Sequence, residues 1–190
     1  MKKLLLALDI GNVCVRIDHL NCVRKLGLDS IPDTLRQTAL EYECGKMSEA
    51  EFFDQMHSLF HAHFTPEEIT GAFDSILIEP VPGMVELVNS FPSRNIQAVF
   101  FSDISPTHLR RTRKIFPAAI HVPHGIYSFE SGALKPQAPM FDRFEARFGK
   151  PDLYVDDRAE LIDGALCRNW YARCFTGADM LQEELKKLGF

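Results

Sequence analysis

Four short stretches of this 190-residue chain carry side chains that do chemistry once brought together. They are Asp9-Ile10-Gly11-Asn12, Ser102-Asp103, Lys135 within GALKP, and Asp156-Asp157. The first, second and fourth each follow an apolar run: LLLAL, AVFF and LYV. In an open parallel sheet, ligands bind beyond the carboxyl ends of the strands, so these stretches are expected to converge on one crevice. Three carboxylates at one point repel one another unless a cation holds them, and Mg²⁺ prefers hard oxygen ligands of this kind. An ion so held neutralises a phosphate, orients it in line, and leaves one carboxylate free to attack phosphorus. Ser102 would donate a hydrogen bond to a phosphoryl oxygen, and Lys135 would offset the charge of nucleophile and phosphate. Backbone amides from Ile10 to Asn12 would complete the cradle.

Such a device needs a sheet to carry it. Apolar runs at Leu4–Leu8, Ile96–Phe101, Leu153–Val155 and, more weakly, Ala172–Phe175 are continuous rather than alternating, which suits strands covered on both faces. Helical periods lie between them: Met84, Val85, Leu87 and Val88; Met140, Phe141, Phe144 and Phe148; Met180, Leu181, Leu185 and Leu188. This alternation predicts an α/β fold with a doubly wound parallel sheet. Residues 18 to 78 break the pattern, with no strand-like run and two helix starts, a capping box at Ser48–Glu51 and Thr65-Pro66-Glu67-Glu68. They read as a small helical insertion after the first strand. The division is therefore a core of 1–14 and 80–190 and a helical unit of 15–79.

Hydrophobic residues make up 46% and charged residues 25%, enough apolar surface for a real core. The net charge of -5 argues against a nucleic-acid partner. No stretch approaches the roughly 20 apolar residues of a membrane span, and the opening MKKLLLAL stops at Asp9, too short for a secretory signal. Five cysteines without CxxC spacing indicate neither a disulfide framework nor a zinc knuckle. The chain reads as soluble and cytoplasmic, its oligomeric state open.

The motifs LALDIGNV, FFSD, GALKP and YVDD, in this order and spacing, resemble the four motifs of the haloacid dehalogenase-like (HAD) hydrolase superfamily. The helical insertion is similar to the C1-type cap of one subfamily. Residues 42 to 56, YECGKMSEAEFFDQM, resemble the cap segment of bacterial sugar-phosphate phosphatases whose first motif reads DxGNV, such as the glucose-1-phosphate phosphatases. The resemblance implies a Rossmann-like core and a Mg²⁺-dependent phosphatase acting on a small phosphorylated metabolite, sugar phosphate-like. It implies that Asp9 is the nucleophile that forms an aspartyl-phosphate, with Ser102 and Lys135 as its catalytic companions. Asp9, Asp156, Asp157 and the backbone carbonyl of Gly11 would hold the metal. Asn12, Ser102, Asp103 and Glu43 would face the substrate.

Two departures from that pattern matter. Most members carry a second Asp two residues after the nucleophile, which protonates the leaving oxygen and later activates water; here the position is Gly11, which has no proton to give. A cap residue or water would have to replace it, with Glu43 and Asp18 as candidates. Alternatively the chain turns over slowly or only with good leaving groups, or it binds a phosphorylated ligand without turnover in a regulatory role. A metal-free dehalogenase is a further reading, which the acid pair at 156–157 argues against. Asp103 stands where Asn is common. A carboxylate near a phosphate must turn away, contact substrate hydroxyls or pair with a base, for which Arg158 is a candidate.

Other suggestive residues have plainer readings. His121 and His124 lack a third ligand at suitable spacing and read as loop or core residues. His57, His61 and His63 read as a solvated or packing face of one helix, and HLRRTRK at 108 to 114 as a solvated helix face. Cys14 reads as a small buried hydrophobe.

Overall fold

The computed structural model describes residues 3–60 and 63–190. In chain order the elements are β1 (Leu4–Leu8), β2 (Val15–Ile17), α1 (His19–Lys25), α2 (Asp33–Glu43), α3 (Glu49–Leu59), α4 (Pro66–Asp74) and β3 (Leu77–Pro80). They continue with α5 (Met84–Asn89), β4 (Ile96–Ser102), α6 (Pro106–Ile115), a short 3-10 turn at Pro117–His121, β5 (His124–Tyr127) and α7 (Ser128–Ser131). The chain closes with α8 (Ala138–Phe148), β6 (Leu153–Asp156), α9 (Ala159–Cys167), β7 (Ala172–Cys174) and α10 (Ala178–Lys187).

Five parallel strands form the main sheet, in the order β5-β4-β1-β6-β7. Its strands are apolar on both faces because both faces are covered. Leu4, Leu6 and Leu8 of β1 join one buried cluster with Ile96, Ala98 and Phe100 of β4. Ala7, Val99 and Phe101 point the other way, into a second cluster with Phe141, Phe144, Tyr154 and Trp170. The period of two along each strand thus divides one continuous apolar run between two cores.

All four expected strands form, with β4 and β6 each extended by one residue to take in Ser102 and Asp156. β7 ends at Cys174. Two features were not expected. β5 is an edge strand whose sequence, HGIY after a proline, carries neither an apolar run nor alternation. The stretch from 18 to 78 was expected to hold no strand, yet β3 begins at Leu77 and pairs antiparallel with β2. These strands are three and four residues long, too short to stand out in the sequence.

Helices α1 to α4 lie between the two strands of that ribbon. The predicted starts hold: Ser48 and Thr65 both cap their helices in full capping boxes, each contributing about 1 kcal/mol. Buried residues of these helices, among them Tyr42, Phe52, Met56, Ile69 and Phe73, belong to the same cluster as one face of the sheet. Polar ties add direction. The Tyr42 hydroxyl meets Thr107 Oγ1 at 2.7 Å, and His108 Nε2 lies 3.0 Å from the Phe73 carbonyl, its ring stacked on Phe73. No described helix is long and apolar enough to cross a membrane.

Candidate functional site

Strand register brings the first groups together. Leu8 of β1 pairs with Phe100 of β4 and with Val155 of β6. Asp9 therefore lies level with Asp156, and Ser102 stands one step further out on the other side. The Asp9 amide donates to the Val155 carbonyl at 3.1 Å, fixing the start of the loop.

Lys135 arrives from the loop after α7. Its Nζ donates to Asp9 Oδ1 at 2.9 Å, to Asp156 Oδ2 at 2.5 Å and to the Phe101 carbonyl at 2.9 Å. These three close acceptors engage the three protons of the ammonium, with the Tyr154 hydroxyl as a longer fourth neighbour at 3.4 Å. Its side chain is fully buried. Burial alone would drive the proton off; the carboxylate of Asp9, together with Tyr154 and Asp156, more than offsets this and holds Lys135 charged, well above the usual lysine range. Burial pushes Asp9 up to about 7 against the pull of Lys135. At Asp156 burial also raises the carboxyl, but Lys135, the Tyr154 hydroxyl and the Arg158 amide outweigh it and hold the group below its ordinary value. A buried cluster this dense costs desolvation energy, which makes it a poor device for stability and a candidate for chemistry.

Asp157 completes the acids. Carboxylate oxygens of Asp9, Asp156 and Asp157 all lie within 4.8 Å of one another. Three hard anionic oxygens at this spacing fit a hard divalent cation.

Several expected substrate-facing groups are engaged within the protein. Asn12, in the left-handed conformation that Asn tolerates (φ 50°), donates from Nδ2 to Asp157 Oδ2 at 3.1 Å and accepts from the Ile17 amide. Its own amide donates to the Val15 carbonyl at 2.7 Å, so the expected phosphate cradle does not include it. Both Asp103 oxygens are taken as well. Oδ1 accepts from the Lys135 amide and Oδ2 from Arg158 Nη2, each at 2.8 Å. Arg158 is thus the base that the extra carboxylate needed.

Glu43, the last residue of α2, lines a cavity of about 520 Å³ together with Asp9, Gly11, Ser102, Asp103 and Asp157. Burial, aided by the Asp103 carboxylate and opposed by Arg158, raises Glu43 to about 7. Asp18 borders the same cavity, but its oxygens are committed to the Leu20 amide and to Arg24. These bonds, the Leu20 amide first, lower its pKa.

Two supporting residues were not singled out from the sequence. The Tyr154 hydroxyl donates to Asp156 Oδ2 at 2.5 Å; the signal was the two-residue spacing, which puts both side chains on one face of β6. The Ser128 hydroxyl accepts from the Ile104 amide at 2.9 Å and donates to its carbonyl, holding the loop that carries Asp103. No local pattern marks that contact.

Most of the plainer readings stand where they can be seen, but His57 and His63 do not share a helix, because α3 ends at Leu59 and His63 lies in the loop beyond it. Cys14 is fully buried, its thiol raised well above the ordinary value by burial and the nearby Asp9. His121 and His124 are exposed, and among the described residues neither joins a metal-binding group. Arg110, Arg113 and Lys114 of α6 are exposed, with Arg110 paired to Glu49. His61 lies outside the described residues.

No family model and no curated protein matches the chain. Solved structures do. The HAD-family enzyme BT-2542 of Bacteroides thetaiotaomicron superimposes with a TM-score of 0.81 at 19% identity, over 93% of this chain and 94% of that one. The fold is the HAD fold. BT-2542 has also been solved in complex with magnesium and inorganic phosphate, a form that matches with a TM-score of 0.79 at 16% identity over 93% and 96% of the two chains. A predicted HAD-like hydrolase of Porphyromonas gingivalis gives a TM-score of 0.81 at 17% identity over 99% and 98%. An L-2-haloacid dehalogenase of Xanthobacter autotrophicus shares the HAD fold less closely, with a TM-score of 0.63 at 11% identity over 98% and 83%. One scaffold therefore carries more than one chemistry, and the side chains of the site must decide between them.

Proposed function

We propose that this protein is a magnesium-dependent phosphatase that hydrolyses a small phosphomonoester through an aspartyl-phosphate on Asp9. The observation that carries the reading is the buried meeting of Asp9, Lys135 and Asp156, with Asp157 beside them, at the carboxyl edge of the sheet. The magnesium and phosphate bound by BT-2542, which has the same fold, support it.

Asp9, Asp156, Asp157 and the Gly11 carbonyl would hold the metal, which supplies positive charge to neutralise and orient the phosphate. Lys135 opposes the protonation of Asp9 that burial favours and balances charge as a carboxylate oxygen attacks phosphorus. Ser102 donates to a phosphoryl oxygen. As the ester P–O bond breaks, Glu43 gives its proton to the leaving oxygen. The resulting Glu43 carboxylate then takes a proton from the water that attacks the phosphoryl group, which releases inorganic phosphate and restores Asp9. Glu43 thereby does the work of the acid missing at position 11. Residues 15–79 would act as a cap over the crevice, with 1–14 and 80–190 as the catalytic core. A three-carboxylate site has no use in a metal-free dehalogenase.

Release of inorganic phosphate from acetyl phosphate, phenyl phosphate and sugar phosphates, with Mg²⁺ and with chelator, tests the proposal. Turnover should require Mg²⁺ and fall to background in Asp9→Asn. Absence of release from every ester, or an Asp9→Asn variant as active as the parent, would count against it.

A further inference from the structure

Beside the phosphate cavity lies a second one of about 430 Å³, enclosed by α1, α2 and the end of α4. The two share a wall made of His19, Glu43, Ile76 and Arg158. Beyond that wall the chemistry changes. Val23, Ile31, Leu35, Ala39, Leu40 and Phe73 line the second cavity, and Val23, Leu35 and Phe73 are buried. Besides the shared wall, the polar side chain it offers is that of Arg36, which is exposed. The phosphate cavity also has an apolar lining, from Ile10, Ile17, Leu20 and Ile104, but adds the acids Asp9, Asp18, Asp103 and Asp157.

We propose that this second cavity receives the organic part of the substrate, and that this part is a compact apolar group, aromatic or branched hydrocarbon, rather than a sugar. The inference rests on the phosphatase reading and deepens it. The leaving oxygen must lie between phosphorus and the organic group. Glu43, the proton donor of the proposed reaction, lies in the wall common to both cavities. The group attached to the oxygen then extends past Glu43 into the apolar space. A sugar placed there would face most of its hydroxyls to valine, isoleucine, leucine and phenylalanine, with His19, Glu43 and Arg158 at the shared wall and Arg36 at the rim as the polar partners left to it. A ring or short branched chain loses nothing and leaves water. A volume of about 430 Å³ suits a molecule of that size.

Calorimetry with Mg²⁺ present, using benzylphosphonate, methylphosphonate and inorganic phosphate on the full chain, tests this without turnover. Benzylphosphonate should bind at least about tenfold tighter than methylphosphonate. Ala39→Phe, which fills the cavity, and Leu40→Glu, which places a charge at its exposed edge, should each reduce that ratio toward one. The exposed position of Leu40 keeps the second variant independent of core packing. In parallel, kcat/KM for benzyl phosphate should exceed that for glucose 6-phosphate, both esters of primary alcohols, by about tenfold or more. Equal affinity for the two phosphonates, or a ratio unmoved by both variants, overturns the apolar assignment while phosphate binding keeps the phosphatase reading alive. Failure of all three probes to bind, with no ester hydrolysed, overturns both.

Discussion

Gly11 has no proton to give to an alkoxide leaving group, and besides Asp9, the proposed nucleophile, Glu43 is an acid of the same cavity raised to about 7. The pH dependence follows in sign. Below about 7 Glu43 is protonated and can donate; above it the donor is lost, so kcat for an ester with a basic leaving group should fall about tenfold per pH unit. Glu43→Gln should lower the single-turnover rate of phosphoryl transfer to Asp9 by about 10²–10⁴-fold for an alkyl phosphate and far less for p-nitrophenyl phosphate, whose leaving group needs no proton. It should slow the shared hydrolysis of the aspartyl-phosphate alike for both. It should also erase the alkaline limb of the alkyl ester. Equal losses in the transfer step for both esters would remove Glu43 from the role of acid. Position 11 itself offers the complementary experiment. A Cβ there would lie 3.3 Å from Ile17 Cδ1 and 3.8 Å from Asp9 Oδ2, so a side chain fits if Ile17 yields by a few tenths of an ångström. Gly11→Asp in the Glu43→Gln background should therefore recover at least about tenfold of the lost rate on the alkyl ester.

The position of Glu43 depends on how α2 is set against the core, and Gly45 in the following turn is the closest approach. It has φ +65°, and a Cβ there would come within 2.1 Å of the Phe129 carbonyl oxygen. Both the left-handed backbone and the contact with α7 exclude a side chain. Gly45→Ala should cost more than about 1 kcal/mol in denaturant unfolding and should weaken catalysis on the alkyl ester more than on p-nitrophenyl phosphate, because Glu43 moves with the turn. A fully stable Gly45→Ala variant would show that the turn does not bear on the core. The same logic explains the sequence reading at this level. Long elements with a strong period, such as α8 and α10, and strands buried on both faces were legible; β5, β2 and β3 were not. Their residues lack a period of their own, and neighbouring backbone supplies the pairing.

Folding of the molecule as one unit has its own titratable marker. His108 of α6 is buried against Phe73 of α4, and burial pushes it down to about 4 from an ordinary 6.5. The unfolded chain thus binds a proton that the folded chain refuses between these values. The linked stability is complete above about 6.5 and is lost as pH falls toward 4, by an amount on the order of 3 kcal/mol. His108→Gln keeps a donor for the Phe73 carbonyl and removes the titration. Its Tm should fall less than that of the parent between pH 6.5 and 4.5, and parallel falls would show that His108 does not couple α6 to α4.

Periodicity and the placing of polar residues after apolar runs were enough to anticipate a parallel α/β sheet, a run of helices after the first strand and the meeting of Asp9, Lys135, Asp156 and Asp157, because these follow from neighbouring residues. The partner of each group was decided only by packing. Asn12 reaches Asp157 across 145 residues, Lys135 reaches Asp9 across 126, and Arg158 reaches Asp103 across 55. Whether Glu43 or Asp18 keeps a proton depends on which carboxylate is buried and which is tied to amide and guanidinium. Burial of that kind arises where distant elements meet, and no local pattern encodes it.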